Sequence, residues 1–378
     1  MEPTEYFPRG VGPSEAPDLA ALYRRSGPFV TLYFDTGPPS ELAYRETETQ
    51  WDEMRRHLEA QGVDASTIDS MAAAISGVPD TEQIAGPTCV VAAGGEVLLL
   101  ERGATSPGRD LALIGALPAL GPVIEWRQHD VTYVAVWCDR AGADIRLHGR
   151  RGAAELAAGE RDRHDPLLHR AHAGGWSYPR YQRTVANNWE RNAKDVVDIL
   201  DRLLERVHPS LVAYGGDPRA VGLLRQEATP SLRPLLQEVP LSRAPEPAEE
   251  HEPEAVHAAV DAVVAARTAS LLDRFQEGKA KSFGVEGAGS VLSSLTAAQV
   301  ETLLLHEQLD DERTAFLSLD PPGAGLDLDE VAPLGGQPFS ARLVDVALAM
   351  SFLTGAGAWV LSQPPLDGGL AAVLRYPV

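Results

Sequence analysis

The sequence predicts an α/β protein with mixed sheets and flanking helices, organised in three units. A chain of 378 residues exceeds one ordinary core, so two or three domains of about 100–150 residues are expected. Short β-rich runs such as 29–34 and 131–137 alternate with longer stretches of helical period such as 42–58 and 185–207. Turn-rich and Pro- or Gly-rich segments separate these groups, giving expected boundaries at 1–127, 128–278 and 279–378.

In the first unit, Phe29-Val30-Thr31-Leu32-Tyr33-Phe34 is a strand ending at Asp35-Thr36-Gly37-Pro38-Pro39. A hydrophobic pair before Asp-Thr-Gly is also the signature of an aspartic protease, whose chemistry needs two carboxylates sharing a proton. No second copy of the motif exists and the chain is far longer than a half-protease, so Asp35 reads as a strand-terminating Asx turn. Residues 42–58 form a helix with Trp51, Met54 and Leu58 on one face, and a shorter helix follows at 66–75. Residues 88–92 and 97–100 flank Gly94-Gly95 and predict a β-hairpin.

The second unit opens with strand 131–137, a turn at 139–143 and strand 144–147, another hairpin. Val185, Trp189, Ala193, Val196, Leu200, Leu203 and Val207 recur at three and four, giving a long helix closed by Pro209. Strand 211–216 and helix 218–227 continue the alternation, and Pro- and Glu-rich residues 243–254 predict an exposed loop before a helix at 253–278.

In the third unit, Gly284 to Ser290 resembles a phosphate loop only superficially. It lacks the Lys-Ser/Thr ending and a strong preceding strand, so it reads as an interdomain hinge. Residues 295–305 run from helix into strand, 314–319 is a strand, 339–353 a buried helix, and 358–361 and 369–376 closing strands.

An apolar content of 44% with 23% charged residues is that of a soluble globular protein. Cys89 and Cys138 form neither a metal pattern nor a disulfide framework, which points to a reducing cytoplasm. The first ten residues carry no basic-then-apolar signal, and no run approaches the ~18 apolar residues of a membrane span. The formal charge of −21 argues against nucleic acid, but the charge is unevenly spread. Residues 140–191 hold ten arginines and six carboxylates, a net +4 that leaves −25 elsewhere. Such a basic island can orient an acidic body on a polyanion.

The island centres on Gly174-Gly175-Trp176-Ser177-Tyr178-Pro179-Arg180-Tyr181-Gln182-Arg183, which opens the long helix. This stretch resembles the Gly-Gly-Gln-Ser…Arg-Phe…Arg signature of archaeal and eukaryotic class-I peptide release factors. Gly369-Leu370-Ala371-Ala372-Val373-Leu374-Arg375-Tyr376 is similar to the ending of release-factor and Pelota C-terminal domains. Together with the three units, this resembles the release-factor/Pelota-like family, most of all its bacterial members, among them ribosome-hibernation factors and their actinobacterial relatives.

The resemblance implies an arm that reaches toward the peptidyl-transferase centre from the A site of a bacterial ribosome. Its rRNA-binding residues are then Arg161, Arg163, His164, His169, Arg170, His172, Gly174, Gly175, Trp176, Ser177, Arg180 and Arg183. By the same analogy the first unit lies near the decoding centre, and the third faces a translational GTPase, elongation factor Tu or another.

The departures matter as much. In release factors the glycines let the backbone enter a crowded centre, and the Gln positions water and stabilises the departing charge. Here Trp176 stands in its place, suited to stacking on bases among arginines, so peptidyl-tRNA hydrolysis is expected to be lost or very weak. Gly335-Gly336-Gln337 lies in the third unit ahead of Pro338 and reads as a helix-start turn. The Asn-Ile-Lys-Ser and Tyr-x-Cys codon-reading motifs are missing from the first unit. His164, His169 and His172 are irregularly spaced without a nearby Cys and read as RNA contacts rather than zinc ligands.

The expectation is a non-catalytic hibernation or stress factor, with no cofactor, membrane or small-molecule substrate. A ribosome-rescue peptidyl-tRNA hydrolase and a stress-related binding protein that does not act on ribosomes are the alternatives.

Overall fold

The computed structural model describes residues 10–25, 27–35, 41–76, 87–103, 110–138, 143–149, 181–182, 189–240, 254–306, 309 and 311–377, with backbone alone for 41–49, 181–182 and 189–192. The chain forms two compact units, one of Met1–Gln128 with Thr268–Val378 and one of His129–Arg267.

The N-terminal part of the first unit runs α1 (Pro17–Leu22), β1 (Phe29–Asp35), α2 (Glu41–Ala60), α3 (Ala65–Ser76), β2 (Pro87–Ala93), β3 (Glu96–Arg102), β4 (Leu111–Gly115) and α4 (Gly121–His129). The four strands form an antiparallel sheet in the order β3-β2-β1-β4. Gly94 and Gly95 take φ of 57° and 80°, the left-handed pair that a two-residue hairpin turn requires between β2 and β3. The central strand β1 is covered on both faces, which is why Phe29, Val30, Leu32, Tyr33 and Phe34 are all buried rather than alternating. Val30, Leu32 and Phe34 pack with Met54 and Leu58 of α2 and with Ile68 and Met71 of α3. Phe29 and Tyr33 join a second core that also contains Leu19, Val123 and Trp126.

The second unit holds β5 (Tyr133–Cys138), β6 (Ala143–His148), β7 (Tyr181–Gln182), α5 (Trp189–Val207), β8 (Leu211–Gly216), α6 (Pro218–Glu227), β9 (Leu236–Glu238) and the first half of α7 (Glu254–Ala280). Its mixed sheet has the order β7-β6-β5-β8-β9, parallel at β5-β8 and β8-β9 and antiparallel elsewhere. Residues of β5 alternate between faces. Val134, Val136 and Cys138 pack on α5 and α6 through Leu200, Leu203 and Leu224, while Ala135 and Trp137 pack on α7 through Val256 and Ala259. Helix α7 is long and apolar enough to cross a membrane by length and composition. It uses Val256 and Ala259 in this core and buries Leu271 and Phe275 in the first unit.

After α7 the first unit resumes with β10 (Gly284–Glu286), α8 (Ala288–Thr296), β11 (Val300–Leu305), β12 (Thr314–Leu319), β13 (Pro322–Gly325), α9 (Leu328–Val331), β14 (Phe339–Arg342), α10 (Leu343–Leu353), β15 (Gly357–Val360) and β16 (Leu370–Leu374). They build a mixed sheet, β10-β16-β11-β15, and a small antiparallel one, β13-β12-β14. Helix α10 is buried from Leu343 to Phe352 and lies in the same core as Leu19, Tyr23 and Phe29, so both ends of the chain share one apolar interior.

Two expectations are corrected here. Gly284 to Ser290 is no interdomain hinge: it is β10, paired with β16, followed by the first turn of α8, with Gly287 at φ 92° making the corner. Three residues were too short a strand to signal themselves. Residues 339–342 are not helical but form β14, because β12 offers them an open edge for pairing, and the helix begins only at Leu343. Gly335 and Gly336, at φ 94° and 79°, therefore lead into a strand rather than a helix. A Cβ on Gly336 would lie 2.6 Å from Ser318 Oγ and overlap the Asp320 carbonyl, so only glycine fits this close return.

Candidate functional site

Topology gives the basic stretch its frame. Strand β6 ends at His148, and β7 pairs beside it with Asp144 opposite Gln182 and Ile145 opposite Tyr181. Residues 149–180 thus connect two neighbouring antiparallel strands, and α5 begins at Trp189 soon after the return. The segment starts at the end of β6 and finishes at β7, its neighbour in the sheet.

The root of this segment is built from residues that share one face of β5 and β6. The register sets Tyr133 opposite His148 and Trp137 opposite Asp144. The Tyr133 and His148 rings stack with centroids 4.8 Å apart and an interplanar angle of 5°. The Arg146 guanidinium lies 5.2 Å from the centre of the buried Trp137 ring, a cation–π contact that fixes a long side chain against the sheet. The chain leaves the sheet at Gly149, where φ is 105° and a Cβ would sit 2.7 Å from Thr132 Cα. A side chain there would have to displace backbone.

At the other end of β5, the Asp217 amide donates to the Cys138 carbonyl at 2.9 Å, and the Asp217 carboxylate accepts from the Arg219 amide at 3.0 Å to cap α6. Gly216, at φ 124°, passes so close to that carbonyl that a Cβ would overlap it. Burial pushes the Tyr214 phenol up from its ordinary value, with the Glu238 carboxylate adding to it.

The residues expected to contact RNA, Arg161, Arg163, His164, His169, Arg170, His172, Gly174, Gly175, Trp176, Ser177, Arg180 and Arg183, lie outside the described residues. The frame above is what the structure adds to them. Reading the sequence alone missed the Tyr133–His148 and Arg146–Trp137 pairs. Extending the β5–β6 register outward from the Cys138–Ala143 pair would have found both.

Elsewhere, Asp35 closes β1, and its backbone N–H, rather than its carboxyl, meets Asp110 Oδ1 at 3.3 Å. Burial raises the Asp110 carboxyl above its ordinary value, with the Asp35 and Glu53 charges adding to it against the opposing Asp35 amide. The Asx turn expected beyond Asp35 falls outside the described residues. Cys89 is fully buried, and burial drives its thiol far above the ordinary range, so it is no nucleophile. Among the described residues no group of three or more His, Cys, Asp or Glu side chains is placed to hold a metal ion.

An α/β protein whose second unit joins two paired strands, β6 and β7, through residues 149–180 is the class this geometry defines. Residues 132–281 match the family described as Bacterial archaeo-eukaryotic release factor family 2, a span that contains residues 149–180 and all of α7. Over this span the chain is similar to bacterial archaeo-eukaryotic release factors. Two uncharacterized Mycobacterium tuberculosis proteins, from strains CDC 1551 and H37Rv, are each 25% identical to it over 370 residues, covering 95% of this chain and 96% of theirs. Among solved structures, Archaeoglobus fulgidus Pelota is 15% identical, covering 77% of this chain and 80% of its own, with a TM-score of 0.34. Saccharomyces cerevisiae Dom34 is 11% identical, covering 76% and 74%, with a TM-score of 0.38.

Proposed function

We propose that this protein binds the bacterial ribosome and occupies the A site of idle or stalled particles without hydrolysing peptidyl-tRNA. The observation that carries this reading is the family match over 132–281, which encloses Gly174-Gly175-Trp176 at the centre of the basic segment. The glycines keep the backbone slim enough for a crowded RNA site, and Arg161, Arg163, Arg170, Arg180 and Arg183 pair with phosphates. Trp176 stacks on bases where a release factor presents an amide, so the group that would position water is missing. The −25 on the rest of the chain keeps it off RNA, which confines contact to one segment. The N-terminal residues sit toward the decoding centre, and the C-terminal residues face a translational GTPase such as elongation factor Tu.

Sedimentation of ribosomes from starved cells tests this reading. Co-migration at low salt that falls as salt rises is the expected result, and absence from ribosomal fractions at both low and moderate salt overturns it. Retention of both glycines and of Arg180 and Arg183 supports a second reading, a rescue hydrolase. Release of labelled peptide from stalled complexes, abolished by Trp176→Ala, would establish that alternative instead.

A further inference from the structure

Seven large hydrophobic side chains are well exposed among the described residues, and three of them, Leu326 (40%), Leu328 (45%) and Leu334 (40%), fall within nine residues of chain. They belong to the lobe built by β12, β13, α9 and β14. Two of them lie on glycine. A Cβ on Gly289 of α8 would stand 3.5 Å from Leu326 Cδ1, and one on Gly323 of β13 would overlap Leu334 Cδ1. Gly323 in turn faces Thr296 at the far end of α8, whose hydroxyl is bonded to the Ala324 amide at 2.9 Å. Leu326 and, across Gly323, Leu334 therefore lie toward positions 289 and 296 of α8, which are separated by a rise of about 10 Å or two helical turns.

Charge decides what such a surface takes. Residues 314–341 contain Asp320, Asp327, Asp329 and Glu330 and no Lys, Arg or His. Glu330 is partly engaged, accepting from the Leu326 amide at 2.9 Å, while Asp327 and Asp329 are exposed beside the leucines. A lobe of this charge repels phosphate, which separates it from the basic segment and excludes RNA as its occupant. We propose that this leucine-and-acid lobe docks a basic amphipathic helix of a protein partner. Apolar residues two turns apart would meet Leu326 and Leu334, and flanking Lys or Arg would meet Asp327 and Asp329. The proposal does not depend on what residues 149–180 contact.

The test uses the full chain and a fluorescein-labelled helical Leu/Lys peptide with leucines at i, i+4 and i+7, beside a Leu/Glu peptide of the same pattern. The Leu/Lys peptide should bind, with amide-exchange protection on residues 320–334. Leu326→Ser/Leu328→Ser/Leu334→Ser and, separately, Asp327→Lys/Asp329→Lys should each weaken it at least tenfold. The charge-reversal pair leaves the leucines in place, so it decides the matter if the serine variant unfolds. Equal binding of the Leu/Glu peptide, retention of affinity within twofold in the charge-reversal pair, or protection elsewhere on this acidic protein overturns the proposal. So does a dimer, seen by sedimentation equilibrium of the protein alone and lost in the serine variant, which would make a second copy the occupant.

Discussion

Gln128 and Val360, 232 residues apart, are joined by a reciprocal pair of hydrogen bonds: Gln128 Nε2 donates to the Val360 carbonyl at 3.0 Å, and the Val360 N–H donates to Gln128 Oε1 at 2.9 Å. The side-chain amide behaves as one residue of an additional strand. Two residues earlier, Val11 makes a true bridge to Ala358, with both N–H···O distances at 2.9 Å. The outer edge of β15 is thereby occupied, and no second chain can pair with it there. Gln128→Ala leaves a buried donor and acceptor unmatched and is expected to cost about 2–4 kcal/mol in urea denaturation. A loss below about 0.5 kcal/mol would show that water replaces the amide.

Arg127 holds the buried Glu101, at 2.7 Å, and the half-exposed Asp18, with side chains of Arg127 and Glu101 only 9% and 2% exposed. Burial works to raise the Asp18 carboxyl, but the hydrogen bond and charge of Arg127 together hold it below its ordinary value. Arg127→Met strands Glu101 and is expected to cost about 3–5 kcal/mol, most of it recovered in Arg127→Met/Glu101→Leu. Additive losses in the double variant would refute a buried pair.

Gly103 lies against the Trp126 indole, so that a Cβ would overlap its Cε2 and Cδ2 atoms. Overpacking is the expected consequence of Gly103→Ala, about 1–3 kcal/mol by thermal melting. Trp126→Phe in the same background should relieve part of it, and no relief would place the strain elsewhere.

The Asp64 carboxylate accepts from the Ser66 hydroxyl at 2.5 Å, the Thr67 hydroxyl at 2.7 Å and the Thr67 amide at 2.9 Å at the start of α3. These bonds, that of Ser66 first, bring its pKa down to about 2. A depressed folded value stabilises above the unfolded value and is lost as pH falls toward the folded one. The melting temperature of Asp64→Ala should lie below that of the native protein at neutral pH. The gap should close between pH of about 4 and about 2; a gap that persists at the acid end contradicts the assignment.

Arg180→Glu/Arg183→Glu reverses two charges of the basic segment and should reduce co-sedimentation with ribosomes at least tenfold, flattening its dependence on salt. Unchanged co-sedimentation would move ribosome contact to another part of the chain.

Local signals made much of the fold legible. Strand β1, the β2–β3 hairpin and α6 announce themselves through a run of aromatic and β-branched residues, Gly94-Gly95, and Asp217 capping ahead of Pro218. Elements that depend on distant partners were not: β4, α4 and β14 owe their conformations to β1, the shared core and β12 respectively. Nor does any local pattern reveal that Gln128 faces Val360. At the candidate site the sequence supplied the chemistry of residues 161–183, and the structure supplied the strand pairing that brackets them.

That bracketing gives the segment an unusual independence. Residues 149–180 join β6 to β7, two strands paired with each other, so the pairing is set by residues outside the segment. Doubling the length of such a loop adds only about 0.6 kcal/mol of closure entropy. Substitution at position 176 is therefore expected to leave the β6–β7 pairing in place. A shared scaffold around such a segment is therefore no guide to the activity the segment carries.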